Sequence, residues 1–167
     1  TLLLMYVGVV PMMGALSNVV LDSEKTYTIK QNDGTSNKFL MVADGKVIKA
    51  SENYSSQPEN EEYHFKFVST GETISYSGNT YTCYYIQPVS ASDSYVYASS
   101  QSYSSNSIGE IAVSNIGSNY NGKNRWLVVN DGTNFSIMYV NGNIVVSDEV
   151  GMKPAISYRD NIEDILI

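Results

Sequence analysis

The sequence predicts an all-β domain made of three pseudo-repeats of four strands, and three observations carry that prediction. From Val19 onward, short alternating apolar runs are separated by Gly, Asn, Asp and Ser, and no stretch shows convincing 3.6-residue apolar spacing. The composition favours strands: fourteen Tyr accompany four Phe, and charged residues make up 16% of the chain, against about 25% in an average soluble domain. The same order of aromatic, turn and aliphatic signals is written three times, which is how repeat architectures show themselves in sequence. A chain of 167 residues fits one domain with a real apolar core.

The elements follow in order. In the first copy residues 27–30 open, Asn32-Asp33-Gly34 turns, and residues 38–42 form a second strand. Asp44-Gly45 leads into a third at 46–50, and a polar loop over 51–61 precedes the closing strand at 63–68. The second copy reads 84–87, 94–98 and 110–113, then a loop through Asn119-Tyr120-Asn121-Gly122 and a closing strand at 125–129. The third reads 135–138, 143–146, 153–156 and 165–167. The openings share aromatic-x-Ile (Tyr27/Ile29, Tyr84/Ile86, Phe135/Ile137). Each third strand ends in Ser, at Ser51, Ser114 and Ser157. The closing strands share apolar-x-apolar, as Phe65/Phe67, Trp126/Val128 and Ile165/Ile167. Asn130-Asp131-Gly132-Thr133 and Ser77-Gly78-Asn79 are hairpin turns joining one copy to the next, with Asp-Gly suited to left-handed backbone.

Three such units that close on one another bury apolar faces none could bury alone, and closure leaves no open sheet edge. The pattern of Tyr-x-Ile, turn, aliphatic strand, second hairpin and a late Trp resembles a ricin-type β-trefoil lectin over residues 22–167. Its clearest piece is Asn124-Arg125-Trp126, similar to the family's Gln-x-Trp with Asn in place of Gln. Tyr63-His64-Phe65 and Glu163-Asp164-Ile165 stand at the matching points of the other copies. The resemblance implies a β-trefoil that binds sugar. In that family each repeat can form a shallow pocket from an early Asp, an aromatic after the third strand, and a loop Asn or Gln. Carried over, the Asp slot falls near Met41, Tyr97 and Val145, and the aromatic slot near Ser51, Ser114 and Ser157, so the usual triad is preserved in no copy. An immunoglobulin-like sandwich is the rival β architecture, and it leaves the three registers unexplained.

Charge narrows the function. The net charge is −7 and the ten Lys and Arg are scattered singly, whereas nucleic-acid or anionic-membrane binding requires clustered cations. The lone Cys83 has no intramolecular partner and no zinc-ligand spacing, and is expected to be a buried strand residue. Ser-His-Asp or Cys-His catalysis would have to use the single His64. Its neighbours Phe65 and Phe67 mark a core-facing strand, which puts His64 on the outward face in a structural or solvent-facing role. Asp44, Glu52 and Asp148 are carboxylates that nothing places across one cleft. Phosphate loops and metal-ligand spacings are absent from the sequence. A non-enzyme without cofactor or metal is expected.

Sugar binding suits the residues that remain. Aromatic faces pack on C–H surfaces, short polar side chains bond hydroxyls, and Tyr serves both at low entropic cost. The candidate glycan ligands are Asp44 and Asp148, just after the second strands of copies one and three. Asp93, Tyr95, Tyr97 and Tyr103 surround the equivalent hairpin of copy two, and Asn124 precedes Trp126. Turn chemistry accounts equally for Asp44, strand packing for Tyr95 and Tyr97, and core burial for Trp126. The polar loops at 51–61 and 99–107 offer further contact surface.

Residues 1–17 read differently. Leu2 to Leu16 is apolar and uncharged, too short and too broken by Gly and Pro for a membrane span, and Ala15-Leu16-Ser17 offers the small-x-small pattern of a cleavable export signal. The expectation is an exported domain over 18–167, not inserted in a membrane. It is read as bacterial, secreted or at the cell surface, binding a glycan or polysaccharide, with a glycan-active catalytic domain downstream. The alternatives are a protein-binding trefoil of the protease-inhibitor or adhesin type, acting through exposed loops, and a purely structural domain.

Overall fold

The computed structural model describes residues 17–31, 38–76, 78–98, 101–102, 107–108, 111–115, 124–130, 135–141, 144–145, 147–148, 151–152 and 160–165. Its strands are β1 (Ser17–Asn18), β2 (Thr26–Gln31), β3 (Leu40–Ala43), β4 (Lys46–Lys49), β5 (Phe65–Tyr76), β6 (Asn79–Pro88), β7 (Tyr95–Ala98) and β8 (Gln101–Ser102). There follow β9 (Ser107–Ile108), β10 (Ile111–Ser114), β11 (Arg125–Asn130), β12 (Phe135–Asn141), β13 (Ile144–Val145), β14 (Ser147–Asp148), β15 (Gly151–Met152) and β16 (Asp160–Ile165). Two single 3-10 turns lie at Glu61–Tyr63 and Val89–Ala91. The all-β expectation holds for the described residues.

The strands form two main antiparallel sheets. The larger runs β13-β12-β11-β6-β5-β2-β16, with β1 added to β11. β12 also lies near β16, so the path curves back towards its far end. The smaller sheet runs β3-β4-β10-β7, and β8-β9 and β14-β15 are separate two-stranded pairs.

Period-2 alternation explains where the core sits. Tyr27 and Ile29 of β2, Phe65 and Phe67 of β5, Tyr84 and Ile86 of β6, Trp126 and Val128 of β11, and Ile137 of β12 all point to one side and are buried together. Their registers place them opposite one another: Tyr27 faces Phe65, Phe67 faces Ile86, Trp126 faces Tyr84, and Val128 faces Ile137. Tyr27 and Tyr84 both meet Phe67 edge-on, at 5.8 and 6.2 Å between ring centres. Each such side chain contributes about 1.5–3 kcal/mol by leaving water. The smaller sheet joins the same core through Leu40 and Val96, with Val42, Val47, Ile111 and Val113 packed around them. Trp126 fastens the two sheets, its Nε1–H donating to the Val96 carbonyl at 3.0 Å.

The segment after β1 is tied down by the core tyrosines. Tyr84 Oη accepts from Leu21 N at 2.9 Å and donates to the Val19 carbonyl at 3.2 Å, and Tyr27 Oη accepts from Asp22 N at 3.1 Å. Outward residues of the larger sheet form a second apolar cluster, Ile74, Tyr81, Cys83, Leu127, Val129 and Met138. Cys83 is fully buried there, as expected. Burial pushes its thiol up to about 11 from 9.0, with Arg125 opposing the shift and Glu72 adding to it.

Several boundaries differ from the expectation. β5 and β6 extend into one long hairpin in which Tyr76 stands opposite Asn79 and Gly78 has φ 83°, and a register shift near Gly71 (φ 79°) bends the arm. The closing strand of copy one begins at Phe65, because Glu61–Tyr63 forms a 3-10 turn. Residues of the predicted 99–107 loop contribute to the short β8-β9 pair. In copy three the closing strand lies earlier, at Asp160–Ile165, with Ile162 opposite Ile29. The predicted strand at 153–156 and the turn at Asp131-Gly132 lie outside the described residues.

Replacing Trp126 by Phe removes the indole donor and leaves the Val96 carbonyl buried without it. A loss of about 1–3 kcal/mol is expected in urea unfolding. A second expectation follows from Cys83. The folded chain keeps the thiol proton where the unfolded chain has lost it, so this stabilisation is complete below pH 9.0 and is lost as pH rises through about 11. Cys83→Ala is therefore expected to flatten the alkaline fall in stability, measured as unfolding midpoint against pH beside the parent.

Candidate functional site

The smaller sheet has two faces, and its register assigns residues to each. Leu40, Val42, Val47, Ile111, Val113 and Val96 belong to the core side. Alternation puts Tyr95 and Tyr97 of β7, Ala112 and Ser114 of β10, and Lys46 and Ile48 of β4 on the other side. Tyr97 stands opposite Ala112, Tyr95 opposite Ser114, and Lys46 opposite Ala112 across the next strand. A central strand with two small side chains is thus flanked by two tyrosines and by a lysine, about 10 Å apart at ordinary strand spacing. By register this makes a trough with an aromatic wall, whose floor is itself covered at Ala112, 7% exposed. Ile48, at 41% exposure, extends the apolar surface at its far side.

One end of this trough is polar. Asp44 (φ 51°) and Gly45 (φ 71°) are both left-handed, as a two-residue hairpin with matching twist requires. The Gly45 carbonyl accepts from Val113 N at 2.7 Å, which fastens the turn to β10 beside Ser114. On the other flank Asp93 Oδ2 accepts from Asn115 Nδ2 at 3.2 Å, and Asp93 Oδ1 accepts from Ser94 Oγ at 3.4 Å. Asp44, Asp93 and Asn115 are all exposed. Tyr95 is half-buried and meets Tyr85 edge-on at 5.5 Å. Burial, followed by the Glu72 carboxylate, pushes the Tyr85 hydroxyl up, so it remains a neutral hydrogen-bonding group.

Four sequence candidates therefore meet on one surface: Asp44, Asp93, Tyr95 and Tyr97. Asn115, Ser114 and Lys46 join them and were not among the candidates. The signal available for Asn115 was its place directly after the Ser that ends the third strand of each copy.

The remaining candidates stand elsewhere. Asn124 is fully buried just before β11, and among the described residues neither of its amide atoms has a hydrogen-bond partner. Asp148 belongs to the β14-β15 pair, opposite Gly151, apart from both main sheets. Tyr103 lies outside the described residues.

His64 corrects an expectation. It is 7% exposed rather than outward in solvent, with its Nε2 2.8 Å from the Pro58 carbonyl and its own carbonyl accepting from Val89 N. The cause is the 3-10 turn before it, which shifts the chain out of strand alternation and folds the 51–60 loop back. That loop is packed by Tyr54, whose hydroxyl lies 2.7 Å from the Tyr63 hydroxyl and donates to Glu52 Oε2 at 3.2 Å. The Tyr63 hydrogen bond, followed by burial, pushes the Tyr54 hydroxyl well above its ordinary value. Phe39, Ala50 and Tyr63 form the small core beneath.

Among the described residues no group of His, Cys, Asp and Glu is placed to hold a metal ion, and no helix is long and apolar enough to cross a membrane. Comparison with protein-family models and with curated protein sequences gives no match.

Asn124 yields a test of its own. An unpaired buried amide costs about 1–3 kcal/mol, which an apolar residue of similar size does not incur. Asn124→Leu is expected to raise the urea midpoint by the equivalent of about 1 kcal/mol and to leave surface binding unchanged.

Proposed function

We propose that this chain is a non-catalytic carbohydrate-binding module with a β-trefoil arrangement, holding a glycan on the outer face of its four-stranded sheet. The trefoil reading is supported by the round of β2, β5, β6, β11, β12 and β16. Strands predicted to open and close each repeat succeed one another there, and β12 lies near β16. The β3-β4 hairpin and the β7-β10 pair sit over one end of that core, as the second and third strands of two repeats would.

The binding reading rests on one observation: Tyr95 and Tyr97 stand side by side over a floor of Ala112 and Ser114, with Asp44, Asp93 and Asn115 at one end. A pyranose offers C–H faces to the rings and hydroxyls to the carboxylates and amide, and the trough accepts one unit of a longer chain. Such a site binds weakly, and useful affinity comes from several sites or ligands together. A non-catalytic role is supported by His64, whose ring nitrogen faces a backbone carbonyl in the interior, and by Asp93, whose oxygens are both engaged by neighbours.

A glycan array followed by titration with the best ligand tests this. Tyr97→Ala is expected to weaken binding roughly tenfold or more, the loss of about 1.4 kcal/mol. Asp44→Asn keeps a residue that tolerates the left-handed turn, so an equal weakening there reports the lost carboxylate and not a broken hairpin. Variants binding as the parent does would refute the site, and turnover of a glycan by purified protein would refute the non-catalytic reading. Inhibition of a protease with no glycan bound would assign the module to a protein ligand.

A further inference from the structure

The aromatic wall of the trough does not stop at the edge of the smaller sheet. Tyr84 and Ile86 of β6 point into the core, so alternation turns Tyr85 outward on the larger sheet. Its ring meets that of Tyr95 at 5.5 Å between centres, with the planes 70° apart. Tyr95 and Tyr97 are two residues apart on β7, about 7 Å along the strand. All three tyrosines are half-buried, so each keeps part of its surface open. They form one row, Tyr97-Tyr95-Tyr85, that passes from the smaller sheet onto the larger.

The Tyr85 end of the row is polar and held in place. The pairing of Trp126 with Tyr84 and of Leu127 with Cys83 brings Arg125 alongside Tyr85 on the next strand. Arg125 Nη1 donates to Glu72 Oε2 at 2.6 Å, which ties β11 to β5 where the register of β5 shifts. The Arg125 side chain is 16% exposed and that of Glu72 55%, so the pair stands at the surface. A guanidinium has five N–H donors and a carboxylate several acceptor positions, so one mutual contact leaves capacity on both. Sugar hydroxyls both donate and accept, and this pair offers both functions with its charges balanced.

The angle between the rings bears on the form of the ligand. A crystalline polysaccharide presents coplanar sugar faces, and rings 70° apart cannot both lie flat on it. Successive units of a free chain rotate about their glycosidic bonds and present faces in different directions. We infer that Tyr85, with the Arg125–Glu72 pair beside it, is a second subsite of the glycan site, which takes a free single glycan chain of several units and not a terminal sugar or a crystalline surface. This rests on the glycan reading of the trough and adds the length and form of the ligand.

The probes are gluco-, xylo- and manno-oligosaccharides of two to six units in calorimetric titration, with crystalline cellulose and crystalline chitin in sedimentation. At least one soluble series is expected to gain about tenfold or more in affinity from disaccharide to tetrasaccharide, as the further ring is engaged. Tyr85→Leu keeps apolar bulk against Tyr95 and removes the aromatic face, and is expected to cut that gain to less than about twofold. Glu72→Gln, at an exposed position where folding is little affected, is expected to weaken the tetrasaccharide roughly threefold more than the disaccharide. A gain in affinity with length that survives both substitutions overturns the inference. So does an equal loss for both lengths, which would make Tyr85 a support for Tyr95 and not a subsite. Absence of binding in all three soluble series overturns it too, as does retention on the crystalline solids alone. Failure of the trough itself reads differently: Tyr97→Ala then leaves every ligand bound at parental strength.

Discussion

Everything else in this molecule depends on the inward layer of aromatic and branched side chains, with Trp126 at its centre. Nine residues on five strands alternate into that layer, and the indole does two jobs within it. Its ring fills the space opposite Tyr84, and its nitrogen reaches the Val96 carbonyl and so fixes the smaller sheet over the larger. That fastening adds to the buried Val96 side chain and the pairing with β10, which together hold the register of β7 and the outward direction of Tyr95 and Tyr97.

The candidate site is a by-product of the same alternation. Because Val96 is committed inward, Tyr95 and Tyr97 are committed outward. Because Ile111 and Val113 pack on the core, the small Ala112 and Ser114 form the floor between flanking strands. The Asp44-Gly45 turn contributes its carboxylate for a reason of its own: two successive left-handed residues are required there, and Asp with Gly meets that requirement. One residue pair therefore closes a hairpin and presents a charge.

Tyrosine ties several segments of the chain to the core. Tyr27 and Tyr84 bury their rings and use their hydroxyls to hold the backbone of 19–22. Tyr54 and Tyr63 join their hydroxyls to each other in the loop over Phe39, where Tyr54 also donates to the Glu52 carboxylate. The residue type that suggested a sugar platform thus serves at these four positions as a structural clip, and Tyr95 and Tyr97 are the pair that alternation turns outward on the trough.

The sequence by itself determined the class of structure and much of its core. Alternation over two residues is a local property, so Tyr27/Ile29, Phe65/Phe67, Tyr84/Ile86 and Trp126/Val128 were legible as inward pairs, and Asp44-Gly45 as a turn. Only the tertiary structure decided which polar residues share a surface. Asp44 and Asp93 come together because β4 and β7 both pair with β10, and a pairing between strands distant in the chain leaves no local trace. It also decided against exposure for Asn124 and His64, since burial depends on what packs over a residue. A single 3-10 turn at Glu61–Tyr63 was enough to take His64 out of the alternating pattern. Burial of the outward cluster at Cys83 and Leu127 was hidden for the same reason: one apolar residue per two reads as one buried face, and a second covered face shows only when the strands are assembled.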